Sequence, residues 1–289
     1  MTVSSSSQKQ VYANGDAYEK EQRLRSLMRE MRSVLVAYSG GVDSAYLAYL
    51  AMVELGEDAH CILGISPSVS KIQRTEARSI AEKFNFNFRT IDTEEFEAPE
   101  YIANPSNRCY FCKSELFEKL TSIAASEHFE YVLDGTNADD VGGHRPGRKA
   151  AIENEVRSPL VEVGMTKAEI REMSRVHGLP SWDKPASPCL SSRIAYGVPV
   201  TIERLTRIEK GEEILRRQGF REFRLREHVD LARIEIAPAE FEAALDADLI
   251  ADIADSIKKL GYKYVTLDLH GYRPGALNEI LTVETVVKK

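Results

Sequence analysis

The sequence predicts an α/β protein, a doubly wound parallel sheet followed by a smaller C-terminal α+β domain, and three observations carry that expectation. Short β-branched runs without polar alternation, such as residues 34–38, suit strands covered on both faces. Between them lie segments whose apolar residues recur at helical spacing. A Gly40-Gly41 turn falls where the first strand passes into a helix, which is where sheets of this class present ligands.

Element by element, Leu24, Leu27, Met28 and Met31 fall at i, i+3, i+4 and i+7, so a helix runs from about Ala17 into the strand 34–38. Helix 43–55, strand 60–65, helix 70–84, strand 88–91, helix 114–125 and strand 131–133 continue the βαβ rhythm. After Ser158 and Pro159 the rhythm breaks. Thr166 with Glu169 three residues on forms a capping box for a helix to His177, which Gly178 and Pro180 end. A Pro- and Ser-rich loop at 181–199 leads to helix 201–217, strands 222–226 and 232–236, helix 249–260 and strand 264–269. The implied organisation is a disordered segment 1–16, a nucleotide domain 17–197 and a smaller domain 198–289, without internal repeats.

At 289 residues the chain can bury two cores without disulfide staples. With 43% apolar and 29% charged residues it is neither low-complexity nor collagen-like. A net charge of −7 gives no global field for polyanions, so a small substrate is favoured over nucleic acid. No apolar run is long enough to span a membrane, and the Ser- and Gln-rich start lacks a signal peptide's apolar core. Four cysteines are too few for a disulfide framework, which points to a cytoplasmic protein with reduced thiols.

The turn reads Ser39-Gly40-Gly41-Val42-Asp43-Ser44. Its glycines let several N–H groups curl toward one anion, the helix start adds roughly half a positive charge, and Ser39 and Ser44 offer hydroxyls. A plain capped turn is the competing reading. The loop is neither a Walker A motif nor a dinucleotide fingerprint, because the Gly-Lys-Ser/Thr and G-x-G-x-x-G patterns are absent.

Cysteine supplies the second signal. Cys61 stands in an apolar strand and reads as a buried, inert thiol. Cys109 and Cys112 form a C-x-x-C placed just before the helix expected from Ser114, and Cys189 lies in the 181–199 loop, so three of the four are expected in loops. A C-x-x-C alone fits a redox disulfide, half of a zinc site or part of an iron–sulfur site. Zinc would need another ligand, such as His128 or His144. Three thiolates on a four-iron cluster leave one iron open, which suits chemistry better than scaffolding. Arg108, Lys113 and the helix start all favour thiolate. Beside Cys189, Ser191, Ser192 and Arg193 offer anion contacts, although the same string also reads as a rigid linker.

The loop resembles the S-G-G-x-D-S pyrophosphate loop of the N-type ATP pyrophosphatases, which cleave ATP between the α and β phosphates. In that setting Gly135-Thr136-Asn137-Ala138-Asp139-Asp140 fits a second wall of the site, with Thr136 and Asn137 near the phosphates and Asp139 or Asp140 holding Mg2+. Together with Asn107 to Lys113, Arg145-Pro146-Gly147, Arg157 to Leu160, Trp182 to Arg193 and Tyr264 to Glu279, these motifs resemble the LarE family of ATP-dependent sulfur transferases.

The resemblance implies adenylation of a carboxylate of pyridinium-3,5-biscarboxylic acid mononucleotide and its conversion to a thiocarboxylate, for the nickel-pincer cofactor of lactate racemase. It implies ATP and Mg2+ as cofactors, a homo-oligomer, and hand-over of the product to a nickel-insertion protein. In one branch the cysteine matching Cys189 gives up its own sulfur. In the other, cysteines matching Cys109, Cys112 and Cys189 hold a 4Fe-4S cluster that carries the sulfide. The sacrificial branch lacks the C-x-x-C, so the cluster is favoured. Pro188 departs from the small residue expected there.

Arg224, Arg226 and His228 alternate on one strand and so share a face, as a clamp for substrate phosphate or carboxylate or as a plain solvated strand. Arg193 and Arg273 are further substrate-binding candidates. Two rivals remain: a tRNA thiolase, against which the acidic charge and missing basic tract argue, and a non-catalytic adenine-nucleotide module with structural zinc.

Overall fold

A computed structural model describes residues 15–142, 145–273, 275 and 276. These divide into two compact units: one takes the chain up to Glu97 and again Asn107–Ser187, the other Ala98–Ser106 and the chain from Pro188 onward. The expected disordered segment lies outside the described residues except for Gly15 and Asp16, which open the helix Gly15–Met31. His144 and Leu277 to Glu279 also lie outside them.

In the first unit β1 (Val34–Ala37), β2 (Ala59–Ile65), β3 (Phe88–Asp92) and β4 (Tyr131–Leu133) form a parallel sheet in the order β3-β2-β1-β4. Alternate residues of β1 enter different cores. Val34 and Val36 pack in the cluster that contains Leu24, Met28 and Leu47, while Leu35 and Ala37 pack with Phe117 and Leu120. Both faces are therefore covered, which is why the strand shows no polar alternation. Because β2 and β4 flank β1, the chain reverses its winding between β1 and β4, and the loops after those strands open on the same crevice.

The helices Val42–Leu55 and Lys71–Lys83 lie within a residue of expectation, and Thr166 with Glu169 makes the expected capping box for Lys167–Val176. One helix differs. It spans Arg108–Glu127, so Cys109 and Cys112 lie in its first turns rather than before it, and only Cys189 of the three stands in a loop. Asn107, a residue type that favours the N-cap, stands at that position without making a side-chain cap. The helix Pro146–Glu153 goes unassigned in the sequence, although Pro146 at its first turn is a known opening signal.

In the second unit β5 (Phe223–His228) pairs antiparallel with β6 (Leu231–Ile236), which pairs parallel with β7 (Tyr264–Leu267). Thr201 caps the helix Ile202–Arg217, and Asp246 caps Ala247–Lys258. Residues 98–106 join this unit through hydrogen bonds. Asn104 Nδ2 donates to the Ala195 and Val198 carbonyls at 2.8 Å each, Val200 N to Ile102 O at 2.9 Å, and Tyr101 and Ser191 share a hydroxyl bond at 2.6 Å.

One charge sits inside the first helix's buried stripe. Glu21 accepts from Arg25 at 2.8 Å, Tyr46 OH at 2.7 Å and His177 Nε2 at 2.8 Å, and so ties Gly15–Met31 to the helices behind it. Burial pushes its carboxyl up, but His177, Tyr46 and Arg25 together outweigh that and hold it below the ordinary value. A lowered carboxyl stabilises the fold above its unfolded value near 4.5 and loses that contribution as pH falls through the folded one. We expect Glu21→Gln to lower stability by about 2 kcal/mol at neutral pH in urea unfolding. The gap should narrow on acidification below about pH 4.5, and a gap constant down to about pH 3 would show that the charge is irrelevant.

Candidate functional site

The loop after β1 is built around Gly40, whose φ of +70° lies in the left-handed region and whose Cβ would sit 2.6 Å from Ala77 Cβ. Tyr38 OH holds the Ala77 carbonyl at 2.9 Å, which fixes the loop against the helix Lys71–Lys83. Ser39 Oγ and Ser44 Oγ lie 3.0 Å apart, and Ser44 Oγ also receives Ser39 N at 3.2 Å. Gly41 is the N-cap of Val42–Leu55 and has no side chain to close it. The first amides of that helix are thus left for an external acceptor.

The wall after β4 comes as close as its glycine allows: a Cβ on Gly135 would meet Ser44 N at 2.9 Å. Asp134 accepts from Thr136 Oγ1 at 2.6 Å and from Ser158 Oγ at 2.7 Å, so Thr136 is fixed by its neighbour. Asn137 Nδ2 donates to Asp43 Oδ1 at 3.3 Å and bridges the two loops. Asp139 accepts Lys167 N at 2.8 Å, while Asp140 pairs with Arg145 at 2.7 Å, so both carboxylates serve local structure. Lys167, which the sequence reading does not single out, places its ammonium on Asp43. Its position directly after the Thr166 cap was the available signal.

Among the four thiols, all outside disulfides, Cys61 is buried, and burial pushes its pKa up to about 12, as an inert core thiol requires. Cys109 is exposed and Cys112 half-buried, one helical turn apart in the first unit. Cys189 is half-buried in the second unit. Arg193 holds its loop: the guanidinium donates to Pro188 O at 2.6 Å and Cys189 O at 3.1 Å while pairing with Glu212 at 2.8 Å. Among the described residues no three His, Cys, Asp or Glu side chains are already gathered to hold a metal ion. His128 serves as the left-handed C-cap of Arg108–Glu127.

Arg224, Arg226 and His228 do share a face of β5, but the solvated-strand alternative fails, because both arginines are buried. Arg226 pairs with the buried Glu235 at 2.8 Å and donates to Ser192 O at 2.9 Å. Arg224 lies 4.6 Å over the Tyr272 ring, and burial followed by the Arg193 charge lowers its pKa. Burial, then Arg233 and Arg226, likewise lowers that of His228, whose Nε2 is buried with no hydrogen-bond partner among the described residues. This face carries a positive field suited to an anion. Arg273, next to Tyr272, is half-buried.

The NAD synthase family matches residues 19–103. The chain is 43% identical over 263 residues to an uncharacterized protein of Synechocystis, spanning 91% of this chain and 98% of that one. It is 32% identical over 266 residues to the pyridinium-3,5-bisthiocarboxylic acid mononucleotide synthase of Lactiplantibacillus plantarum, spanning 91% and 95%. A glutamine-hydrolysing GMP synthase chain of Methanopyrus kandleri is 27% identical over 174 residues, about half of each chain at 55%.

The loop geometry yields a direct expectation. Gly40→Ala must push a methyl into Ala77 at a positive φ, so it should destabilise the protein by about 1–3 kcal/mol and weaken pyrophosphate binding. Thermal unfolding and calorimetric titration with Mg-pyrophosphate measure the two effects. An unchanged pair would show that the loop relaxes freely.

Proposed function

The chain belongs to the pyridinium-3,5-bisthiocarboxylic acid mononucleotide synthase family, and on that premise we propose that it adenylates a carboxylate of pyridinium-3,5-biscarboxylic acid mononucleotide and converts it to a thiocarboxylate. It is an ATP-utilising phosphate-loop enzyme. The observation that supports the proposal is the crevice between β1 and β4, where the helix start without a side-chain cap lies against Gly135 and beside the Lys167–Asp43 pair.

In this reading Ser39, Gly40, Gly41 and Ser44 hold the terminal phosphates of ATP, with Thr136 and Asn137 as the opposite wall. Mg2+ offsets the charge of the departing pyrophosphate; of Asp139 and Asp140, Asp139, whose partner among the described residues is only the Lys167 amide, is the acid that would hold it, while Asp140 stays with Arg145. A substrate carboxylate oxygen attacks the α-phosphorus, the bond to the bridging oxygen breaks, and pyrophosphate leaves with the electron pair. Lys167 and the loop amides stabilise that developing charge. The resulting acyl adenylate has AMP as a good leaving group, so a sulfur nucleophile can add at the acyl carbon and expel it.

Cys109, Cys112 and Cys189 are the residues that would hold a 4Fe-4S cluster, since all three are thiols outside the core and none is in a disulfide. When bound, the cluster supplies the sulfide. Arg224 and Arg226, with His228, Arg193 and Arg273 around them, take the substrate's phosphate or second carboxylate. Residues 17–197 then serve as the activating domain and 198–289 as the substrate domain of a homo-oligomer, whose product passes to a nickel-insertion protein.

Anaerobic purification tests this. We expect about four iron and four acid-labile sulfide per chain, and AMP and pyrophosphate formation only with the pyridinium substrate present. Cys189→Ser should abolish sulfur transfer while leaving adenylation within about threefold of wild type. Loss of about 34 Da from the intact chain after turnover would assign the sulfur to Cys189 itself. Stoichiometric zinc without activity would overturn the proposal, and salt-dependent retention on tRNA would redirect it to the thiolase reading.

A further inference from the structure

The stretch 182–187 leads directly to Cys189, yet none of its side chains is buried and Trp182 is 40% exposed. Its hold on the first unit is polar. Arg171 donates to Trp182 O at 2.7 Å and to Lys184 O at 2.8 Å, and Gln73, which also closes the Ser70 capping box, donates to Ser187 O at 2.5 Å. Arg175 lies 6.0 Å over the Trp182 ring, and a further tie is Lys184 itself. Its ammonium pairs with Glu76 at 2.5 Å and lies 3.5 Å from the carbonyl of Gly40, inside the phosphate loop.

Glu76 is 42% exposed, and an ion pair to so exposed a carboxylate is weakly held against solvent. A pyrophosphate or triphosphate in the loop offers several negative oxygens beside Gly40 and more total charge than the single, half-exposed Glu76 carboxylate. The ammonium therefore has a better partner whenever the loop is filled. Since Lys184 belongs to the strap, exchanging partners moves backbone as well as a side chain.

We propose that Lys184 is a positioning residue that reads phosphate occupancy: it leaves Glu76 for the bound phosphates and so resets the strap 182–187 that carries Cys189. This rests on the phosphate site proposed above. It gives the enzyme a reason to change the setting of its thiol only when ATP is present, which limits wasteful exposure of sulfur.

Trp182 is the chain's single tryptophan, so its fluorescence reports the strap alone. We expect Mg-pyrophosphate and α,β-methylene ATP each to produce a saturable change in its emission, and AMP, which lacks the outer phosphates, to produce none. In Lys184→Met the change should shrink at least about fivefold at saturation, with binding up to about tenfold weaker by calorimetry, while Lys184→Arg retains it. Glu76→Gln should show part of the ligand-bound emission without ligand. An undiminished change in Lys184→Met at saturation, or an equal change with AMP, would overturn the inference. Calorimetric silence of the wild-type protein toward both phosphates would remove the phosphate site and this inference with it.

Discussion

The structure depends on how closely backbone can approach backbone at the crevice between β1 and β4. Gly40 lies on Ala77 and Gly135 on Ser44, each at a distance no Cβ tolerates. These contacts bring the two loops together where Asn137 reaches Asp43, while Gly41, with no side chain, leaves the start of Val42–Leu55 uncapped. A side chain at either glycine would force the loops apart and let water satisfy the helix amides. The anion site is thus a product of packing before it is a product of charge.

Charge is then arranged around that site with little slack. Asp43 would burden a phosphate cradle with a negative group, but Lys167 and Asn137 share it. In the second unit the same logic works with opposite sign: the buried carboxylates Glu212 and Glu235 hold Arg193 and Arg226 in fixed poses. Removing either acid would leave a buried cation unpaired, which is more damaging than never having had the pair. The positive face around Arg224 is therefore rigid as well as charged, and rigidity lowers the entropy lost on binding an anion.

Much of this was legible in the sequence because it rests on local signals. The strands of the parallel sheet announce themselves through apolar runs, the loop through its paired glycines, and Lys167–Val176 through a cap and its reciprocal Glu. The thiol helix begins six residues before the expected Ser114, at Arg108, behind an Asn107 that was available as an N-cap signal. Lys167 and Lys184 were missed for a different reason: their partners, Asp43 and Glu76, lie over a hundred residues away. The burial of Arg224 and Arg226 was equally hidden, since alternation along a strand shows which residues share a face but not whether that face is covered.

The most consequential long-range feature is the excursion at 98–106. The chain leaves the first unit for these nine residues and returns just before Cys109. Within the second unit, Asn104 is bonded to the carbonyls of Ala195 and Val198, and Tyr101 to Ser191, so the excursion is fastened to the loop that follows Cys189. Cys189 stands two residues before Ser191, so the loop that carries it is held to the excursion by the Tyr101–Ser191 bond and, further on, by Asn104, both within the second unit. A segment eighty to ninety positions earlier in the chain therefore sets the backbone around Cys189, which no local pattern in 181–199 could announce.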